Sequence, residues 1–126
     1  MPWPLFLTVA AGGAAGALAR HYLSAWVMSQ SGGLFPLGTM LVNVLGCLLI
    51  GLLWPLGDRL VPELKVLLTS GFLGAFTTFS TFSLETWSLL AGREFVTGLG
   101  YLGASLVLGI LGVVAGIKFG TLLLPH

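Results

Sequence analysis

The feature that most constrains this chain is the stretch over residues 71–85, GFLGAFTTFSTFSLE, set inside a long apolar segment that would otherwise read as a plain membrane helix. It is too polar and too rich in glycine for that. Thr77, Thr78, Ser80, Thr81 and Ser83 crowd together, interleaved with Phe79 and Phe82, and Gly71 and Gly74 lie just ahead. Unsatisfied backbone groups cost several kcal/mol in hydrocarbon, so such an interruption survives at membrane depth only when buried in protein or lining a polar cavity. The pattern predicts a helix broken at a permeation site.

The rest of the composition supports a membrane setting. Of 126 residues, 56% are hydrophobic and only 7% charged, against about 25% charged in soluble domains. A straight span needs ~20 apolar residues, and the proline and charge punctuation leaves room for four spans and almost nothing else, so no soluble domain remains to carry an enzyme. The net charge of +1 supplies neither a basic patch for nucleic acid nor a polybasic segment for anionic lipid. Cys47 is the single cysteine, which excludes an intramolecular disulfide, and His21 and His126 lie too far away in sequence for metal-site spacing. It reads as packing. Ala15-Gly16-Ala17 and Ala17-Leu18-Ala19 look like cleavage sites after an apolar run, but Met1-Pro2-Trp3-Pro4 lacks the basic start of a signal peptide, so the segment is kept as a helix.

The first span is expected over residues 4–28, with Pro4 in the first turn and small residues over 11–19 for close helix approach. Arg20 either snorkels to the interface or faces an aqueous vestibule and concentrates anions there. His21 reads as interfacial, and Trp26 fits an aromatic belt. Pro36 opens the second span, 37–56, in which Thr39 and Asn43 stand one helical turn apart on one face. Asn43 is either polar glue between helices or a pore-lining donor. The third span, 63–90, is longer than a straight crossing needs, and a break over 74–78 would free carbonyls on one half-helix and N–H groups on the other. Those carbonyls can hold a cation. Phe79 and Phe82, with Phe72 and Phe76 continuing the drift, form either a core stripe or a line of ring edges, whose positive quadrupole end suits an anion path. Glu85 falls near the interface, where snorkelling suffices for it. The fourth span, 95–124, carries a close-packing face in Gly112, Gly116 and Gly120, another face in Tyr101, Ser105 and Gly109, and Lys118 snorkelling at its end.

Four spans put Arg59, Lys65 and Lys118 on one side and Arg20 and Arg93 on the other. The bias is too small to fix orientation by the positive-inside rule. Such a chain can insert both ways and pair as an antiparallel homodimer, whose twofold axis in the membrane plane doubles every site.

The run Gly38-Thr39-Met40-Leu41-Val42-Asn43, the TTFSTFS core behind its GFLG turn, and Tyr101-Leu102-Gly103-Ala104-Ser105 together resemble the Fluc (CrcB) family of small dual-topology fluoride channels. The likeness covers all four segments. It implies an all-α antiparallel dimer in a prokaryotic cytoplasmic (inner) membrane, with two fluoride pores and a structural sodium ion at the dimer centre. On matching motifs, Asn43 donates to fluoride, Phe79 and Phe82 present ring edges, and Thr39, Tyr101 and Ser105 complete the polar lining. Ser80, Thr81 and Ser83 form a donor track, Glu85 sits near a pore mouth, and Gly74 and Thr77 give sodium their backbone carbonyls. Where some members carry a second serine one turn after Ser105, this chain has Gly109.

Two other classes fit less well. A small drug/proton antiporter needs a titratable carboxylate at mid-membrane, yet Glu63, Glu85 and Glu94 lie toward segment ends and the first span has none. A non-transporting scaffold explains the glycines but leaves Asn43 and the hydroxyl run without a task.

Overall fold

The computed structural model describes residues 2–125, and among them the chain is all helix and turn, with no strand. Helix α1 (Trp3–Ser31) starts on Pro4 and runs three residues past its expected end, because nothing stops it before Gly32, whose φ of 62° closes the helix with an N–H to the Met28 carbonyl. Helix α2 (Leu37–Leu56) follows Pro36 and passes into a 3₁₀ turn, Gly57–Arg59. The third helical run is composite: α3 (Pro62–Val66), a π-helical segment (Leu67–Leu73) and the short α4 (Gly74–Phe76) end at a break over Thr77 and Thr78, after which α5 (Phe79–Ala91) resumes. Helix α6 (Phe95–Leu122) completes the chain.

The predicted break is there, at the C-terminal end of its predicted range: Gly74 is still helical, while Thr77 and Thr78 are extended. Among the described residues three helical runs, Leu37–Arg59, Pro62–Ala91 and Phe95–Leu122, are long and apolar enough to cross a membrane. Helix α1 is long enough at 29 residues but less apolar, since glycines, Arg20 and His21 dilute it.

Large hydrophobic side chains cover much of the outside, and the buried core is two small clusters, Val42 with Leu73 and Phe76, and Phe82 with Leu89 and Tyr101. Lipid is as apolar as leucine, so helices in a bilayer hold together by close approach and not by hiding apolar surface. Glycines supply that approach along several seams. On α6, Gly112, Gly116 and Gly120 lie against the α2 backbone, and a Cβ at Gly116 would fall on the Leu48 carbonyl oxygen and 2.7 Å from Leu52 N. On α1, Gly12 and Gly16 lie against the π segment, where a Cβ at Gly16 would fall on the Phe72 carbonyl oxygen. On α2, Gly46 faces the Thr77 methyl group at the break. The expected small-residue surface of α1 is therefore one narrow face: Gly12 and Gly16 are buried, whereas Ala14 and Ala15 are exposed.

The α2–α6 seam is testable without reference to function. Gly116→Leu forces that seam apart and should destabilise the fold by about 1–3 kcal/mol, the usual cost of overpacking, read as a lower thermal midpoint in detergent. Gly100→Ala, where an added Cβ meets nothing within 4 Å, should leave the midpoint unchanged or slightly raised.

Candidate functional site

The break forms because the side chains around it take over the hydrogen bonds that a continuous helix would have made. In such a helix the Thr78 N–H would bond the Gly74 carbonyl; it donates instead to Asn43 Oδ1 at 2.7 Å. Asn43 Nδ2 returns a bond to the Thr78 carbonyl at 3.0 Å, so one side-chain amide pairs with both polar groups of Thr78 as a peptide would. The Thr81 N–H, which would reach the Thr77 carbonyl, donates to Thr78 Oγ1 and caps α5. From the opposite side, Arg20 Nε donates to the Ala75 carbonyl at 2.9 Å. The Thr77 N–H and hydroxyl both turn back to the Leu73 carbonyl, each at 3.1 Å.

One carbonyl is left over. Among the described residues the Thr77 carbonyl accepts no hydrogen bond, and the Gly74 carbonyl loses the Thr78 N–H to Asn43 and receives no side-chain donor; these two are the pair that the sequence resemblance assigned to sodium. Carbonyl oxygens at a helix C-terminus carry partial negative charge and are hard donors of the kind an alkali cation takes, so the residues present fit that ion.

Beside the break lies an open cavity of ≈ 470 Å³ lined by Asn43, Gly74, Thr77, Thr78, Phe79, Phe82 and Ser105, with Cys47 and Ile50 in its wall. Phe79 is 78% exposed and points outward, whereas Phe82 is buried against the Tyr101 ring, and the two phenyl centroids stand 5.9 Å apart. Ser105 Oγ is the only buried side-chain polar atom without a hydrogen-bond partner among the described residues. Several other helical hydroxyls of this chain satisfy themselves on a carbonyl one turn back, as Thr69 does on Lys65, Thr86 on Phe82 and Thr121 on Ile117. Ser105 does not. Gly109, one turn on, is buried, and a Cβ added there would stand 3.4 Å from Cys47 Sγ, in ordinary van der Waals contact.

A second cavity of ≈ 410 Å³ is lined by His21, Ser24, Met28, Thr39, Thr81 and Glu85. Here the sequence reading is corrected. Glu85 is not a snorkelling carboxylate: Thr39 Oγ1 donates to its Oε1 at 2.8 Å and the Tyr101 hydroxyl to its Oε2 at 2.9 Å. Tyr101 is fully buried, its ring packed on Phe82 and Phe35, so its hydroxyl serves Glu85. The expected phenylalanine line is also split, because Phe76 joins the Val42 core, stacked on Phe72 at 5.5 Å and apart from Phe79 and Phe82.

The candidate residues thus gather in two places. Asn43, Gly74, Thr77, Phe79, Phe82 and Ser105 meet in the cavity at the break. Thr39, Thr81 and Glu85 meet in the other, linked to the first through Tyr101 and Phe82. Ser80 and Ser83 are exposed and line neither, although Ser80 Oγ lies 3.5 Å from Thr78 Oγ1. Arg20 also lines neither; both sequence readings of it missed the Ala75 carbonyl. A signal was available, since Gly12, Gly16 and Arg20 follow four-residue spacing and so share a face: two glycines bring α1 onto the π segment, and the next turn delivers the guanidinium.

Comparison with known proteins places this arrangement in a family. The profile of the family described as CrcB-like protein, Camphor Resistance (CrcB) matches residues 7–117. A protein of Hahella chejuensis is 45% identical over 98% of this chain and 100% of its own length, one of Trichormus variabilis is 42% identical over 92% and 88%, and one of Rhizobium johnstonii is 45% identical over 88% and 91%. Each bears the name Fluoride-specific ion channel FluC, the name of a channel and not of an enzyme. A match that runs from the first helix to the last through the break, at this identity, leaves one assignment: the chain belongs to the CrcB family.

Proposed function

We propose that this chain forms a fluoride-selective channel of a prokaryotic cytoplasmic membrane, through which fluoride leaves the cell passively. The observation that carries the reading is the buried, unpartnered Ser105 hydroxyl in a cavity shared with Asn43 and two phenyl rings. Fluoride is small and strongly hydrated, so a pore has to replace its water with donors. Ser105 offers an unused O–H. Asn43 Nδ2 has a second N–H beyond the one given to Thr78, and phenyl edges add a weakly attractive lining. A fixed positive charge in the cavity would hold the ion too tightly to conduct, and neither lysine nor arginine lines it. An interior-negative potential supplies ~2.3 kcal/mol per 100 mV for outward movement of an anion, so no pump is required.

All four helical runs cross the bilayer in this reading. Helix α1, with 29 residues, spans ~43 Å at 1.5 Å per residue, which exceeds the hydrocarbon core, and its Arg20 is paired with a carbonyl inside the protein. Two chains associate in antiparallel orientation as a homodimer, favoured by the near-even division of basic residues between the two sides, and each dimer then carries two pores. The carbonyls of Gly74 and Thr77 from both chains would hold a structural sodium ion, which would supply positive charge to balance the helix ends. This chain's part is to keep those carbonyls free, by diverting the Thr78 and Thr81 N–H groups to side chains.

The direct test is ion efflux from liposomes, with fluoride and chloride electrodes under a potassium-valinomycin driving force: fluoride should be released rapidly and chloride negligibly. Phe79→Ile and Phe82→Ile keep the apolar bulk but remove the ring edges, and each should slow fluoride release on the order of tenfold or more in protein that remains dimeric. Unchanged release in both would overturn the assigned lining. Asn43→Ala leaves both polar groups of Thr78 unpaired and should cost about 1–3 kcal/mol of stability together with the flux, read from thermal unfolding and efflux of one preparation.

A further inference from the structure

Arg20 lies outside both cavities, and its side chain donates a hydrogen bond to one backbone atom; that atom specifies a task. The first half-helix, α4, ends at the break with its last carbonyls released. Ala75, flanked by Gly74 and one turn short of the break's far side, is the one among these that receives a side-chain donor. Gly12 and Gly16 set the distance: a Cβ at Gly12 would come 2.5 Å from the Leu67 carbonyl oxygen, and the α1 backbone lies directly on the π segment. Without that approach the guanidinium would not reach.

We infer that Arg20 is a positioning residue for the cation site: by holding the Ala75 carbonyl through Nε, it fixes the end of the half-helix so that the neighbouring Gly74 and Thr77 carbonyls stay oriented for an alkali cation. The inference deepens the proposed function, since it rests on a cation being held there. It differs from a vestibule role, in which any positive charge at position 20 concentrates anions. It also runs against simple electrostatics, by which a second positive charge near the site should weaken cation binding.

Chain length separates these roles. The donating atom, Nε, stands three methylene groups beyond the α-carbon of arginine, and glutamine has its amide nitrogen at the same place without the charge. Lysine keeps the charge but has a methylene there. In the full-length dimer, thermal stability is titrated with sodium against N-methylglucamine for the wild type, Arg20→Gln, Arg20→Lys and Arg20→Leu, and fluoride and chloride efflux is read from the same preparations. Positioning through Nε predicts that Arg20→Gln keeps the wild-type sodium midpoint to within about threefold, while Arg20→Leu and Arg20→Lys raise it about tenfold or more. The opposite order, with Lys retained and Gln lost, assigns the residue to charge and overturns the inference. So does a lowered or unchanged midpoint in all three variants, or a wild type indifferent to sodium. If Arg20→Leu does not fold, the Gln and Lys pair still decides. Wild-type fluoride efflux with unchanged sodium midpoints sinks the inference and spares the channel; absence of that efflux sinks the channel reading itself.

Discussion

Everything else in the structure serves the hydrogen bonds at one break. Two extended residues, Thr77 and Thr78, in the middle of an apolar helical run release N–H and C=O groups that hydrocarbon cannot solvate. The chain satisfies them from three directions. Asn43 on α2 takes both groups of Thr78, Thr78 itself caps the second half-helix, and Arg20 on α1 takes the Ala75 carbonyl. The glycine seams follow from this. Gly46 admits the Thr77 side chain against α2, and Gly12 and Gly16 bring α1 close enough for Arg20 to reach. A larger residue at any of them would separate a helix from the group it has to satisfy.

The same economy produces the site. A break fully satisfied by its own protein would be inert. Here, among the described residues, the Thr77 carbonyl and the Ser105 hydroxyl remain without partners, both at the cavity that Asn43 and Phe82 line. Glu85 is handled in the opposite way, each carboxylate oxygen accepting a hydroxyl from Thr39 or Tyr101. Glu85 is thus held by its two hydroxyl donors and does not line the cavity at the break.

Much of this was legible in the sequence because membrane helices advertise their exceptions. Four apolar runs bounded by prolines, glycines and charges marked the helical runs to within three residues at each end. The crowding of Thr77, Thr78, Ser80, Thr81 and Ser83 marked the break, and the Gly112, Gly116, Gly120 spacing marked the seam on α6. What stayed hidden were pairings across helices. Nothing local tells that the Asn43 amide meets Thr78, that Thr39 and Tyr101 turn to Glu85, or that residues 67–73 widen into a π helix. The partner of Arg20 stayed hidden for a related reason: a charge near a helix end invites a solvent explanation, and only the glycines one and two turns before it point to the Ala75 carbonyl.

The measurement closest to the centre of this account is amide hydrogen exchange at Thr78, followed by NMR on the protein in nanodiscs. A backbone N–H bonded to Asn43 should be protected in the wild type as firmly as the neighbouring helix, and Asn43→Ala should speed its exchange by about tenfold or more while the α2 and α6 amides stay protected. A Thr78 amide that exchanges freely in the wild type, or one that Asn43→Ala leaves unchanged, would contradict the claim that Asn43 holds the break.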